Sequence, residues 1–151
     1  MADTNFTAQS YREAALEHLS QAQFLHSDAR RYSLTHYIAG VAIECMLRAH
    51  GLRADDEFTG RHDLIQLALR ANFFDLGRGA KRPEYIAEVT EANLRWRSNH
   101  RYFTQGQLRS HLNDVGVDQR IRGDKLKYNS QRMYNLAEEI VRLGELKWNK
   151  K

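Results

Sequence analysis

The chain has 151 residues, 42% hydrophobic and 28% charged, which is typical of one globular domain and excludes a wholly disordered chain. No run of about eighteen apolar residues would span a bilayer, and a single cysteine excludes an intramolecular disulfide. The N-terminus shows no basic region followed by an apolar stretch, so we expect a cytoplasmic protein with no membrane partner.

Helical periodicity dominates the first third of the chain. It predicts one helix over residues 7–27, a short connection over 28–31 and a second helix over 33–50 that ends at Gly51. The second helix is apolar around nearly its whole circumference, which predicts a central position in the fold. A glycine in its middle, Gly40, indicates that another stretch of backbone comes close.

The next two helices carry recognisable start signals. After a loop over residues 51–61, a third helix is predicted to open at His62 and Asp63, where the aspartate suits a capping position. A basic turn over 77–83 ends in the only proline, and a fourth helix is predicted to begin near Pro83 and to lead into Trp96.

The last third of the chain shows weaker patterns. Residues 104–128 are predicted to form a long loop or insertion with one partial helix over 105–112, and a final helix is predicted over 130–148. The tail 149–151 is expected to fray. The sequence therefore predicts a single all-α domain over residues 1–151, an up-and-down bundle of four to five helices.

Positive charge is concentrated in one segment. Residues 92–113 contain four arginines and no acidic residue, so this segment alone carries the chain's net charge of +4. A positive field beside Trp96, Tyr102 and Phe103 suits a polyanion or a stacked base. The alternative interpretation is a solvated arginine face on a helix.

Within that segment, the run Arg95-Trp-Arg-Ser-Asn-His100-Arg-Tyr102 places an arginine and a histidine close together. Arginine stays charged and forks onto phosphate, while histidine is the side chain best suited to move a proton near neutral pH. The two are sufficient for RNA cleavage without a metal or cofactor. His100 would remove the proton from a 2′-OH, and Arg95 would stabilise the charge developing on phosphate, so DNA would not be a substrate.

Helix geometry limits this hypothesis. On an ideal helix, Arg95 and His100 point about 140° apart, while Asn99 and Tyr102 lie on nearly the same face as Arg95. A break near Ser98, or a second chain across a two-fold axis, would bring the pair onto one phosphate. In the alternative interpretation, the arginines are solvated, His100 is simply hydrogen-bonded, and the aromatic residues pack the bundle.

Three segments carry a resemblance to a known family: HYIAGVAIECMLRAHG (36–51), RHDLIQL (61–67) and RWRSNHRY (95–102). The chain resembles HEPN domains, small α-helical proteins of prokaryotic toxins, defence systems and RNA processing. Family members commonly show an A-G-x-x-x-E-x-x-L-(K/R)-A helix, which matches residues 39–49. Their catalytic signature R-x4-H-x-Y matches Arg95, His100 and Tyr102.

This resemblance implies a metal-independent endoribonuclease that acts as a toxin or antiviral defence effector. It further implies a homodimer with a composite site, and a separate antitoxin or regulatory protein as partner. Arg95 would bind phosphate and His100 would act as base, with Asn99 and Tyr102 completing the pocket.

Another HEPN branch carries a W-x4-R-Y signature, which Trp96, Arg101 and Tyr102 match equally well. In that branch no nuclease activity need follow. It implies a non-catalytic module that docks RNA, a nucleotide or a protein partner on its arginines, with Trp96 and Tyr102 packing the bundle. The candidate RNA-binding residues of the chain are Arg97, Arg101 and Trp96. A third alternative is a purely structural subunit of a larger defence complex.

Glu44 stands in the most apolar helix, where an unpaired carboxylate would be costly. It would pair with Arg95, Arg97 or Arg101 and support the site, or form a structural ion pair with Arg48 one turn away.

The remaining candidates are weaker. Cys45 is predicted to be a small buried hydrophobic residue, and the histidines lack metal-ligand spacing, so no metal and no cofactor are expected. A glycine pair at 77 and 79, with Lys81 and Arg82, would cradle a phosphate. An arm that contacts RNA, or a solvated loop, is predicted from four basic residues, Arg120, Arg122, Lys125 and Lys127.

Overall fold

The computed structural model describes residues 6–54, 62–76 and 82–149. These residues form six α-helices and no strand, which confirms the predicted all-α bundle, with one helix more than the upper number expected. The helices are α1 (Ala8–Leu25), α2 (Tyr32–Arg53), α3 (Leu64–Arg70), α4 (Arg82–Arg95), α5 (Gln105–Asp114) and α6 (Lys125–Trp148). Short 3₁₀ helices lie at Ala29–Arg31, Phe73–Leu76 and Ser98–Tyr102.

Helix α2 is the centre of the bundle, as its apolar circumference predicts. It packs against α1 along most of its length and against α6 and α3 on its other sides. Its fully buried side chains include Ile43, Met46 and Leu47. The predicted end at Gly51 is wrong, because Gly51 is buried inside the helix, which continues to Arg53. There the Arg53 guanidinium lies 4.1 Å from the centre of the Trp148 ring and donates to the Trp148 carbonyl at 3.1 Å.

Local capping sets several helix boundaries. The Thr7 hydroxyl accepts from the Ser10 N–H at the start of α1, and the Asp63 carboxylate accepts from the Gln66 N–H at the start of α3. The Asp63 cap and a fourth helix beginning near Pro83 agree with the sequence prediction. Residues 55–61 of the predicted loop and 77–81 of the basic turn lie outside the described residues, as do residues 150–151 of the tail.

Residues 104–128 contain the partial helix predicted over 105–112 and less loop than predicted. Helix α5 occupies Gln105–Asp114, and α6 begins at Lys125, five residues earlier than predicted, where the Asp124 carboxylate accepts from the Lys127 N–H. The reason is a second apolar cluster that weak periodicity concealed. It joins α2, α5 and α6 through Tyr32, Leu108, Leu112 and Leu126.

Gly40 marks a close approach, but by a side chain rather than by the expected stretch of backbone. The indole of Trp96 lies directly against Gly40, so that a Cβ there would overlap the ring. The indole N–H donates to the Tyr37 carbonyl at 3.1 Å, and Trp96 is 2% exposed. Gly40 therefore fixes the position of the residue that opens the segment 96–102.

We expect Gly40→Ala to lower the free energy of unfolding by about 2–3 kcal/mol, because the added methyl overlaps a ring that cannot turn away. Gly144→Ala is the matched control. Its methyl would meet the flexible side chain of Met46, so a smaller loss is expected. Urea unfolding followed by circular dichroism measures both, and equal losses would contradict this account of Gly40.

Among the described helices, none combines the length and the apolar character needed to cross a bilayer.

Candidate functional site

The segment between α4 and α5 departs from helical geometry within the predicted motif. Helix α4 ends at Arg95, and Ser98–Tyr102 form a 3₁₀ helix. The helix break thus falls just before Ser98, the position near which a break would bring Arg95 and His100 together. It turns both Arg95 and His100 towards the interior, where they are 4% and 2% exposed.

Arg95 is held by two carboxylates. Its Nη1 and Nη2 atoms donate to the two oxygens of Asp118, each at 2.7 Å, and its Nε atom donates to Glu91 at 2.9 Å. The Asp118 side chain is 5% exposed, so this fork is enclosed by protein. Burial by itself would lower the pKa of Arg95, but the Asp118 and Glu91 interactions prevail and raise it.

A line of hydrogen bonds leads from Arg95 to His100. Arg95 Nη1 donates to Asn129 Oδ1 at 3.0 Å, and Asn129 Nδ2 donates to His36 Nδ1 at 2.9 Å. His36 Nε2 then donates to His100 Nδ1, also at 2.9 Å. Because arginine only donates hydrogen bonds, Asn129 Oδ1 must accept, and this sets the donor and the acceptor of each later hydrogen bond. Nδ1 accepts in both His36 and His100, so both histidines must be neutral.

The surroundings of His100 keep it neutral. The Arg97 N–H also donates to His100 Nδ1, at 3.2 Å, and the ring packs against Phe103 and His111 with centroids 4.5 Å away. Burial, followed by the nearby His111 and Arg97, lowers the pKa of His100 to about 4. Its Nε2 atom is enclosed and makes no hydrogen bond to the part of the chain described.

The structure therefore brings the predicted catalytic pair into one buried polar network, which we call the arginine–histidine line: Arg95, Asn129, His36 and His100. The two motif side chains do not meet at a shared opening on this chain. The predicted supporting residues Asn99 and Tyr102 lie elsewhere, on the exposed side of the 3₁₀ helix.

That exposed side borders an open cavity of about 320 Å³. Tyr102 is 70% exposed, and the guanidinium carbon of Arg101 lies 4.7 Å from the centre of its ring. Trp96 forms part of the wall, while Arg97 is exposed. The cavity is lined by nine residues, Tyr37, Val41, Glu44, His62, Trp96, Ser98, Asn99, Arg101 and Tyr102.

Glu44 lines this cavity, but it pairs with Arg48 and His62 and not with an arginine of the segment 95–101, as was one expectation. Its Oε2 atom accepts from Arg48 Nε at 3.2 Å, which agrees with the alternative of an ion pair one turn away. Its Oε1 atom accepts from His62 Nδ1 at 2.7 Å. Glu44 lies on the cavity side of α2, whereas Arg95 points into the bundle, and this separates the two groups.

Sequence reasoning missed the partners of the arginine–histidine line. Asp118 and Asn129 lay in or next to a segment interpreted as loop, and His36 had no motif of its own. In the sequence, Gly116 two residues before Asp118 indicates a turn, because glycine and aspartate both favour turns. In the structure both residues adopt a positive φ. His62 was interpreted only as part of a helix start.

The other candidate residues are placed as follows. Cys45 is buried as predicted, and burial raises the pKa of its thiol to about 12. Gly77, Gly79 and Lys81 lie outside the described residues, and Arg82 forms an exposed ion pair with Asp75 at 3.5 Å. The basic residues of the predicted arm are exposed except Lys125, which is half-buried; the exposed ones are Arg120, Arg122 and Lys127.

Comparisons of the chain with protein-family models, with curated proteins and with solved structures find no match in any of the three.

Proposed function

We propose that this chain is a single-stranded RNA-binding module of the HEPN type, with the cavity beside Trp96, Arg101 and Tyr102 as its binding site. The observation that carries the proposal is the exposed Tyr102 ring at the cavity edge, with the Arg101 guanidinium 4.7 Å from its centre. An aromatic face beside an arginine is the pairing that proteins use to stack a base and to hold the adjacent phosphate.

The charge of residues 92–113, whose Arg101 lines the cavity, supports the same function. Of the four arginines in residues 92–113, Arg95 is neutralised by Asp118 and Glu91. The other three, Arg97, Arg101 and Arg109, are exposed, and none makes an ion pair within residues 6–54, 62–76 and 82–149. Three exposed cations that pair with no carboxylate of the described ranges favour contact with a phosphate backbone.

Cleavage of RNA by Arg95 and His100 stays a prediction. It requires both side chains to leave their present partners, since Arg95 is held by carboxylates and His100 is enclosed. The binding function makes no such demand, because the residues of the W-x4-R-Y signature already border the cavity. For this reason the binding module is our first proposal.

The remaining expectations rest on the resemblance to HEPN domains and are part of the proposal. They are a homodimer, a separate antitoxin or regulatory protein, and a role as toxin or antiviral defence component. A cytoplasmic location, expected from the single cysteine and the N-terminal sequence, belongs to the proposal as well. Light scattering of the purified chain measures the oligomeric state, and growth of cells that express it measures toxicity.

We expect Tyr102→Ala and Arg101→Ala each to weaken RNA binding. Loss of one base–aromatic stack corresponds to about 1–3 kcal/mol, or about 5- to 150-fold in Kd for Tyr102→Ala. Fluorescence anisotropy with a labelled single-stranded RNA of about 12 nucleotides measures this, since binding sites of this kind span about 4–16 nucleotides. The Arg101 variant should also show a shallower dependence of Kd on salt concentration.

Arg142→Ala is the matched control, because Arg142 is an exposed arginine of α6 that pairs with Glu139 and does not line the cavity. It should bind RNA as the unmodified chain does. The proposal is wrong if the unmodified chain binds no RNA, or if both cavity variants bind as tightly as the control. A single-stranded DNA of the same sequence tests the preference for RNA.

A further inference from the structure

His62 makes a hydrogen bond to Glu44 that its position at the start of α3 does not require. His62 precedes the Asp63 cap of α3, so the cap forms without the imidazole. Instead, His62 Nδ1 lies 2.7 Å from Glu44 Oε1 on α2, while Arg48 Nε lies 3.2 Å from the other oxygen of the same carboxylate. The carboxylate is 14% exposed and thus held in place from two sides, and the imidazole is 48% exposed.

This contact decides which imidazole nitrogen accepts a proton. A carboxylate only accepts hydrogen bonds, so Nδ1 of His62 must carry a hydrogen that it donates to Glu44. In the neutral ring the lone pair is therefore on Nε2. That nitrogen makes no hydrogen bond to any residue in the described ranges, and so it is free to accept from a ligand in the cavity.

The same cavity holds the groups that would fix a phosphate. His62 and Glu44 line it together with Arg101, Ser98 and Tyr102. Arg101 supplies a permanent positive charge, and two hydroxyls supply hydrogen-bond donors. A histidine oriented by a carboxylate, next to a cation that binds phosphate, is an arrangement for proton transfer on a bound phosphate ester.

We propose that His62, positioned by Glu44, is a general base of this cavity and that it acts on the RNA whose binding is proposed above. This inference rests on that proposed function. His62 Nε2 removes the proton of a ribose 2′-OH, and the 2′-oxygen forms a bond to the adjacent phosphorus. The bond from phosphorus to the 5′-oxygen breaks, its electron pair stays on that oxygen, and the oxygen takes a proton from solvent. His62 returns its own proton to solvent.

The products are a 2′,3′-cyclic phosphate and a free 5′-hydroxyl, with atoms and charge balanced. Arg101 stabilises the negative charge on the phosphate oxygens during the displacement. Glu44 is a positioning residue, because it touches His62 and not the substrate. The buried His100 takes no part in this step.

The test is cleavage of a labelled single-stranded RNA by the full chain in EDTA, with RNA binding measured on the same samples. His62→Ala should lower kcat about 100-fold or more, with Kd for RNA within about threefold of the unmodified chain. Added imidazole should restore part of the rate, because the half-exposed position is open to it. Glu44→Gln should lower kcat less than His62→Ala does and should not respond to imidazole.

His18→Ala is the matched control, since His18 on α1 contacts Gln21 and does not line the cavity. An RNA with 2′-deoxy residues should bind and stay intact. Binding without cleavage by the unmodified chain overturns this inference and leaves the proposed function standing, whereas absence of binding overturns the proposed function itself. Cleavage that persists in His62→Ala and disappears in His100→Asn assigns the chemistry to the arginine–histidine line instead.

Discussion

Asp118→Asn is expected to lower the free energy of unfolding by about 3 kcal/mol or more, a large share of the roughly 5–15 kcal/mol that holds a domain of this size folded. Asp118 accepts both bonds of the Arg95 fork at 2.7 Å, and both side chains are 5% exposed. Removing one charge leaves the buried guanidinium with Glu91 as its remaining carboxylate. Asparagine tolerates the φ of 62° at this position, so the variant isolates the charge from the backbone.

Urea unfolding measures this loss, and a double-mutant cycle with Arg95→Met separates the pair from its surroundings. In the Arg95→Met background, Asp118→Asn should lower the free energy of unfolding by at least about 1.5 kcal/mol less than it does in the unmodified chain. The reason is that no buried cation remains there to lose its partner. Glu139→Gln on the exposed pair with Arg142 is the control and should change stability by less than about 1 kcal/mol. Additive losses from Asp118→Asn and Arg95→Met would contradict the coupling described here.

This expectation affects the interpretation of activity assays. Arg95→Ala is the obvious variant for testing the R-x4-H-x-Y motif, and loss of activity in it would ordinarily be assigned to catalysis. In this fold the same variant leaves the buried Asp118 without its cation, whereas Glu91 keeps its ion pair with Arg132. Its activity is therefore informative only when the folded fraction is measured in the same sample.

The second large effect is a loss of stability in mild acid. Burial is the main cause that lowers the pKa values of His36, His100 and His111, and for His100 the value is about 4 against an ordinary 6.5. Between pH 6.5 and 4 the unfolded chain binds more protons than the folded chain, so stability falls as the pH drops through that window. For His100 alone, the loss from pH 7.5 to pH 5 amounts to about 2 kcal/mol.

Protonation is costly because each nitrogen of the line that faces a neighbour already accepts or donates. His100 Nδ1 receives the His36 and Arg97 donors, and His36 Nδ1 receives the Asn129 donor, so a proton on either nitrogen would displace a hydrogen bond. His111 and Arg97 add repulsion to an imidazolium at His100, and Arg95 adds repulsion to one at His36.

Urea unfolding at a series of pH values between 7.5 and 5 measures the effect. His100→Asn is the matched variant, because an amide oxygen replaces Nδ1 as acceptor without titrating. Its loss of stability over this range should be about 2 kcal/mol smaller than that of the unmodified chain. Identical curves for the two proteins would show that His100 is not the group that titrates.

The helices and most of their starts, though not the start of α6, were predictable because their causes are local. The apolar circumference of residues 33–50 is a property of neighbouring positions, and the Asp63 cap lies three residues from the N–H that it accepts. The angle between positions 95 and 100 left two ways to bring that pair together, a break near Ser98 or a second chain, and the structure shows a break after Arg95. The end at Gly51 was wrong because tertiary packing of Arg53 on Trp148 extends the helix beyond its local stop signal.

The candidate site was predictable only as a segment. Sequence established that residues 95–102 hold arginines, a histidine and aromatic side chains in a stretch without acidic residues, since this is a matter of order along the chain. Which of these side chains face the cavity depends on contacts with residues that are distant along the chain. His36 lies 64 residues before His100, and Asp118 lies 23 residues after Arg95. Such pairs form only when α2, α4 and α6 pack together, so tertiary structure decided that Arg95 and His100 are enclosed while Arg101 and Tyr102 are exposed.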